Sequence, residues 1–169
     1  MSLAPLPPTI QAQSLLQEWE WRTATATLPA YRPALLAHLT ELCASLRPAT
    51  GAGVTIDYED LLTVLRSAAH FRVGTAAIAG SNRAVRAAQA LLAAIRESTL
   101  ACGPAQRALL SIISPTAQPL HMDELTSIIE TIQHSLGQDV ELVFGHDETT
   151  NTAVAELRVW LLVGYGAGT

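Results

Sequence analysis

Between Pro33 and Leu46, apolar side chains recur every three or four positions, at Leu35, Leu36, Leu39, Leu42, Cys43 and Leu46. That spacing gathers them on one stripe of a helix. Pro33 suits a first helical turn, and Pro48 stops the helix. A shorter and less regular stripe, Ile10, Leu15, Leu16 and Trp19, predicts a helix from Ile10 to Trp21. Before it lie Pro5, Pro7 and Pro8, so residues 1–9 are expected to be a non-helical, mobile leader. Pro, Gly and Thr between Pro48 and Gly53 predict a loop.

Downstream of Asp57 the period alternates between helix and strand. Tyr58 to Ala68 reads as a helix with Leu61, Leu62 and Leu65 on one side, and His70 to Ile78 as a strand. Arg83 to Arg96 is a helix with a small inward face: Ala84, Ala87, Ala88 and Leu91, with Ile95 beyond. Arg107 to Ser114 is almost continuously apolar, the pattern of a strand covered on both faces. Met122 to Leu136 is a helix with Leu125, Ile128, Ile129, Ile132 and Leu136 inward. Asp123 and Glu124 sit in its first turn, where the macrodipole favours them, and Gly137 ends it. Val140 to Gly145 and Glu156 to Val163 are two strands joined by a polar loop, and their adjacency predicts a hairpin. The pattern gives an α+β, two-layer fold. A four-stranded mixed sheet carries two helices on one face, with right-handed crossovers and helices preceding it.

Composition narrows the class of function. The 169 residues are 49% hydrophobic and 15% charged, with a net charge of -5, which fits a globular domain and not a disordered chain. All ten basic residues are Arg. The acidic balance argues against a nucleic-acid partner. Cys43 and Cys102 are too few for a disulfide framework and are expected to be free thiols in a reducing cytoplasm. No apolar run is long enough to span a membrane, and the N-terminus lacks the signature of a secretory signal.

One constellation stands out as candidate chemistry. Asp57 and Asp60, three residues apart at a helix start, place two carboxylates near one edge. The same pair fits a capping box, and the residues alone leave both roles open. The histidines, His38, His70, His121, His134 and His146, form no ligand pair, so no metal site is expected. Ser111 and Ser114 lie on or beside an apolar strand outside any nucleophile-elbow pattern. Trp160 lies opposite the Leu157, Val159 and Leu161 face and is expected to pack beneath a helix or to mark a contact patch. Gly164, Gly166 and Gly168 precede no helix and are not read as a phosphate cradle.

A set of short blocks occurs in order. They are Thr55-Ile-Asp57-Tyr58-Glu-Asp60, Gly74-Thr75, Gly80-Ser-Asn-Arg83-Ala84, and Glu156-Leu-Arg158-Val. Together they resemble the C-terminal domain of FtsZ, the bacterial tubulin-like GTPase that polymerises at the division site. The register holds without a gap from Thr55 to about Ile112, and the resemblance covers about two-thirds of the chain. It implies three parts: an N-terminal extension over residues 1–30, a connecting helix and loop over 31–54, and the FtsZ-like domain over 55–169. It implies that Asp57 and Asp60 act in trans, positioning water at the GTP of an adjacent subunit, with Thr55 and Tyr58 at the interface. No Gly-rich phosphate loop is found, so this chain alone is expected to bind no nucleotide or other cofactor and to be no enzyme by itself. GTP would belong to a partner. The implied partners are FtsZ, an FtsZ-like protein or a second copy, in the cytoplasm. The alternatives are the C-terminal half of a full GTPase, or a regulatory domain that keeps only the fold. Thr55, where the family carries Asn, favours the last of these.

Overall fold

The computed structural model describes residues 6–23, 32–46, 54–96, 103–151 and 155–167. Nine elements follow in the order α1 (Pro8–Thr23), α2 (Arg32–Ser45), α3 (Tyr58–Ser67), β1 (His70–Ile78), α4 (Arg83–Arg96), β2 (Ala105–Pro115), α5 (Met122–Leu136), β3 (Glu141–Thr149) and β4 (Leu157–Tyr165). The fold is α+β with a four-stranded mixed sheet, as the hydrophobic periods predict. Helix α1 begins earlier than expected. Pro8 occupies the start of the helix, where a missing N–H costs nothing. Cys102 and the segment 47–53 lie outside the described residues.

The sheet runs in the order β1-β4-β2-β3. The expected hairpin between the last two strands does not form. β4 lies between β1 and β2, antiparallel to both, and β3 runs parallel to β2 at the edge. The physical reason lies in the side chains. Every residue of β4 except Arg158 is buried, whereas β3 is mostly half-buried. A strand apolar on both faces needs cover on both, and the sheet supplies it at the centre. Arg107 and Glu141, opposite each other on β2 and β3, form a cross-strand ion pair at 2.9 Å.

Two cores sit on the two faces. Helices α4 and α5 cover one, with Ala84, Ala87, Ala88, Leu91, Ile128 and Ile132 against Leu110, Ile112, Val159 and Leu161. Helices α1, α2 and α3 cover the other, around Leu109, Trp160 and Leu162, and thereby add a third layer. Trp160 is buried there, and its Nε1 faces Glu41 Oε2 of α2 at 3.5 Å. Trp19 of α1 meets Phe71 of β1 edge-to-face at 4.8 Å and donates from Nε1 to the Ala68 carbonyl at 3.3 Å. Trp21, two residues on, is 86% exposed. Glu20 of α1 accepts from Arg32 of α2 at 2.7 Å. Cys43 is buried against this core, and burial pushes its thiol up to about 12.

Arg83 ties the second layer together. It is nearly buried, pairs bidentately with Glu124 of α5 at 2.8 Å through both contacts, and donates to the carbonyls of Gln118 and Pro119. The start of α4 is thus fixed to the turn before α5. The charge-assisted bonds raise the Arg83 pKa and hold the Glu124 carboxyl below its usual range.

Helix α3 reaches the sheet because β4 carries Gly164 beneath it. A Cβ at that position would lie 3.0 Å from the Ala68 Cβ and 3.1 Å from the Val64 carbonyl oxygen. Gly164→Ala is therefore expected to lower stability by about 1–3 kcal/mol, by forcing α3 away from the sheet. Urea denaturation of both proteins checks this; an unchanged midpoint would show that α3 has room to give.

Candidate functional site

The loop ahead of α3 is built by three constraints. Ile56 is buried in the first core and anchors the segment, while Val54 and Thr55 on one side and Asp57 on the other are exposed. The segment crosses β3 at Gly145, where a Cβ would lie 2.9 Å from the Val54 carbonyl oxygen and 3.1 Å from the Ile56 nitrogen. The neighbouring His146 N–H donates to that Val54 carbonyl at 2.9 Å. No side chain larger than hydrogen fits between loop and strand without a shift.

Asp57 is the N-cap of α3. Its Oδ1 accepts from the Glu59 and Asp60 amides at 2.9 and 3.1 Å, and Asp60 Oδ2 accepts from the Asp57 amide at 2.8 Å. This is a reciprocal capping box with Asp in place of the usual Glu. Each carboxylate engages the helix start through one of its two oxygens. With Glu59, three acidic residues gather at the positive end of the α3 dipole. Thr55 is exposed beside the pair. Tyr58 is half-buried against the first core, and its phenol is raised chiefly by desolvation. The loop therefore presents two carboxylates whose positions are held by the cap.

The two serines that the sequence flags are structural. Ser45 Oγ donates to the Leu42 carbonyl at 2.7 Å, so Ser111 donates to Ser45 across 2.8 Å. Ser114 is fully buried, contacts His146 Nε2 at 2.9 Å and accepts from the Leu120 amide at 3.3 Å. A seryl oxygen so enclosed cannot meet a substrate. Sequence reading separates Ser114 and His146 by thirty-two positions; only the parallel pairing of β2 with β3 joins them. A groove of about 460 Å³ opens between α2 and the sheet, with Glu41 and Arg158 among its lining residues. No motif foretells it, because it is a gap left by packing. Among the described residues, no group of His, Cys, Asp and Glu could hold a metal, and no helix is long and apolar enough to cross a membrane.

No family model and no curated protein sequence matches the chain. Solved structures do. An FtsZ W319Y mutant from M. jannaschii aligns with a TM-score of 0.61 at 18% identity, over 82% of this chain and 42% of that one. The fold is that of the FtsZ C-terminal domain. An empty FtsZ dimer from the same organism aligns at 0.55 and 17% identity, covering 87% and 43%. GDP-form protofilaments of TubZ from Bacillus thuringiensis serovar israelensis align at 0.58 and 13% identity, covering 79% and 38%. The chain thus spans about two-fifths of the length of each of these three structures.

Two outcomes follow from the site. Asp57→Ala removes a cap with two bonds and is expected to cost about 1 kcal/mol, seen as a lower urea midpoint with native circular dichroism. Burial lowers the His146 pKa from its ordinary 6.5, against opposing pulls from Glu148 and Asp147. Above 6.5 both folded and unfolded chains carry a neutral ring, and stability is flat. Below 6.5 the unfolded chain takes up the proton first, so stability declines until the folded ring is protonated too. His146→Gln should flatten that decline. An equal slope in both proteins between pH 7.5 and 5.5 would assign it to another group.

Proposed function

We propose that this chain is a polymerisation-family domain that contacts a neighbouring FtsZ-like subunit, or the end of an FtsZ-like filament, through the Asp57/Asp60 loop. The observation that carries the reading is the capping box itself. It fixes both carboxylates at an exposed edge while using one oxygen of each, so capping the helix and facing a neighbour are compatible. The FtsZ/TubZ fold supports the family, and the matched TubZ protofilaments and FtsZ dimer support self-association or an FtsZ-like partner.

In this reading GTP is bound by the partner, and the chain alone binds no nucleotide or other cofactor and turns none over. The two carboxylates accept hydrogen bonds from a water poised in line with the γ-phosphorus. As that water forms its bond to phosphorus, the bond to the bridging oxygen breaks, GDP leaves with the electron pair, and the water's proton passes to the phosphate product. The protein supplies position and field only. Thr55 and Tyr58 flank the contact. The setting is the cytoplasm, and the net charge of -5 speaks against nucleic acid. A second reading, the C-terminal half of a full FtsZ-like GTPase, is favoured by the two-fifths coverage of the matched structures. It makes the same use of Asp57 and Asp60.

Co-sedimentation with FtsZ from the same cell, in GTP, tests the contact. The wild-type domain is expected to enter the pellet or to alter polymer mass. Asp57→Ala with Asp60→Ala should change turnover by about 10²-fold where the loop completes the GTP site, far beyond the loss of a cap. Unchanged turnover with a lowered melting temperature would reduce the pair to a helix cap.

A further inference from the structure

We propose that Gly145 and His146 position the carboxylate loop, and that a proton on the His146 ring loosens it: β3 carries a pH-sensitive latch on Asp57. The inference rests on the role proposed for Asp57 and Asp60 only in what the latch would control. Its structural basis is separate. The Val54 carbonyl has the His146 amide as its partner, and Gly145 removes the side chain that would hold the segment off the strand. One residue therefore joins the loop, through its backbone, to the buried Ser114 hydroxyl, through its ring.

Half-burial and the contact with Ser114 favour the neutral ring. Ser114 Oγ accepts from the Leu120 amide, and its own proton is satisfied when it points to His146 Nε2. In that arrangement Nε2 is the acceptor and the neutral ring carries its proton on Nδ1. Protonation at Nε2 turns it into a donor and leaves the Ser114 proton without an acceptor in a fully buried position. Desolvation acts in the same direction. The charges that act on the ring are Asp147 and Glu148 of its own strand. From β2 it meets Ser114, from the turn before α5 the Leu120 amide reaches the same hydroxyl, and on the opposite face Val54 and Ile56 cross without charge. A charged ring loses its fit beside Ser114 and is drawn toward Asp147 and Glu148, and in the proposed latch that shift is passed to the backbone at 146, whose N–H holds Val54. His146 is thus a positioning residue.

Nuclear magnetic resonance of the full chain between pH 5 and 8 tests the latch. The amide resonances of residues 54–60 are expected to move with the midpoint of the His146 ring protons, below 6.5. His146→Gln, which keeps an acceptor for Ser114 without titrating, should hold those amides at their high-pH positions. Ser114→Ala should raise the midpoint. Native dispersion of the β4 amides confirms that each variant is folded. Loop amides that stay still while the ring titrates, or that titrate equally in His146→Gln, would overturn the latch. GTP turnover of FtsZ filaments, compared at pH 7.5 and 5.5 with wild type and His146→Gln, separates the two ideas. Amides that follow the ring with no change in turnover leave the latch standing and remove the in-trans role of the carboxylates. Turnover that depends on Asp57 while the amides ignore the ring does the reverse.

Discussion

Strand β4 must be covered on both faces and paired on both edges, and the rest of the chain is arranged to do it. Leu157, Val159, Leu161, Val163 and Tyr165 enter one core, and Trp160 and Leu162 enter the other. A strand so apolar cannot lie at an edge or carry helices on one side only. β1 and β2 therefore flank it, α4 and α5 close one face, and α1 to α3 close the other. Burial on this scale, at about 25 cal/mol per Å² of apolar surface, is the main favourable term in folding. The N-terminal helices are structural members of the domain, since Leu15, Leu16 and Trp19 belong to the same buried cluster as Leu162.

Close approach then does the fine positioning. Gly164 admits α3 on one face, and Gly74 admits α4 on the other, where a Cβ would lie 3.1 Å from Ile95 and from the Leu91 carbonyl. Gly145 admits the loop that ends in Asp57. The acidic loop is thereby referred to the sheet at two points, through α3 and through β3, and its carboxylates are locked again by the cap. Side chains carried on rigid elements in this way hold a defined geometry.

Much of this was legible in the sequence. The bounds of α4 and α5 follow from periodicity because each has one wet and one dry side, and a regular pattern records that asymmetry. The resemblance carried by Asp57, Gly74, Arg83 and Glu156 led to the fold that the solved structures share. The last two strands do not pair, although nearness in sequence favours a hairpin. The unbroken apolar run in β4 was the contrary signal, and it marks a centre strand. Arg83 read as a helix start only, since its partners, Glu124 and the carbonyls of Gln118 and Pro119, lie more than thirty positions away. The Ser114–His146 pair was hidden for the same reason. Asp57 and Asp60 read as a cap or a functional pair, and the cap is present.

The three tryptophans stand in three different solvents. Trp160 is sealed between α2 and the centre of the sheet, Trp19 is clamped where α1 meets β1, and Trp21 is open to water. Indole emission shifts to the red as water reaches the ring. The native spectrum is therefore a composite, with a constant red component from Trp21 and a blue component from the other two. Detachment of α1 alone would move only the Trp19 share, while collapse of the sheet would move that of Trp160 as well. The chain carries its own optical means of telling a loosened first layer from a lost fold.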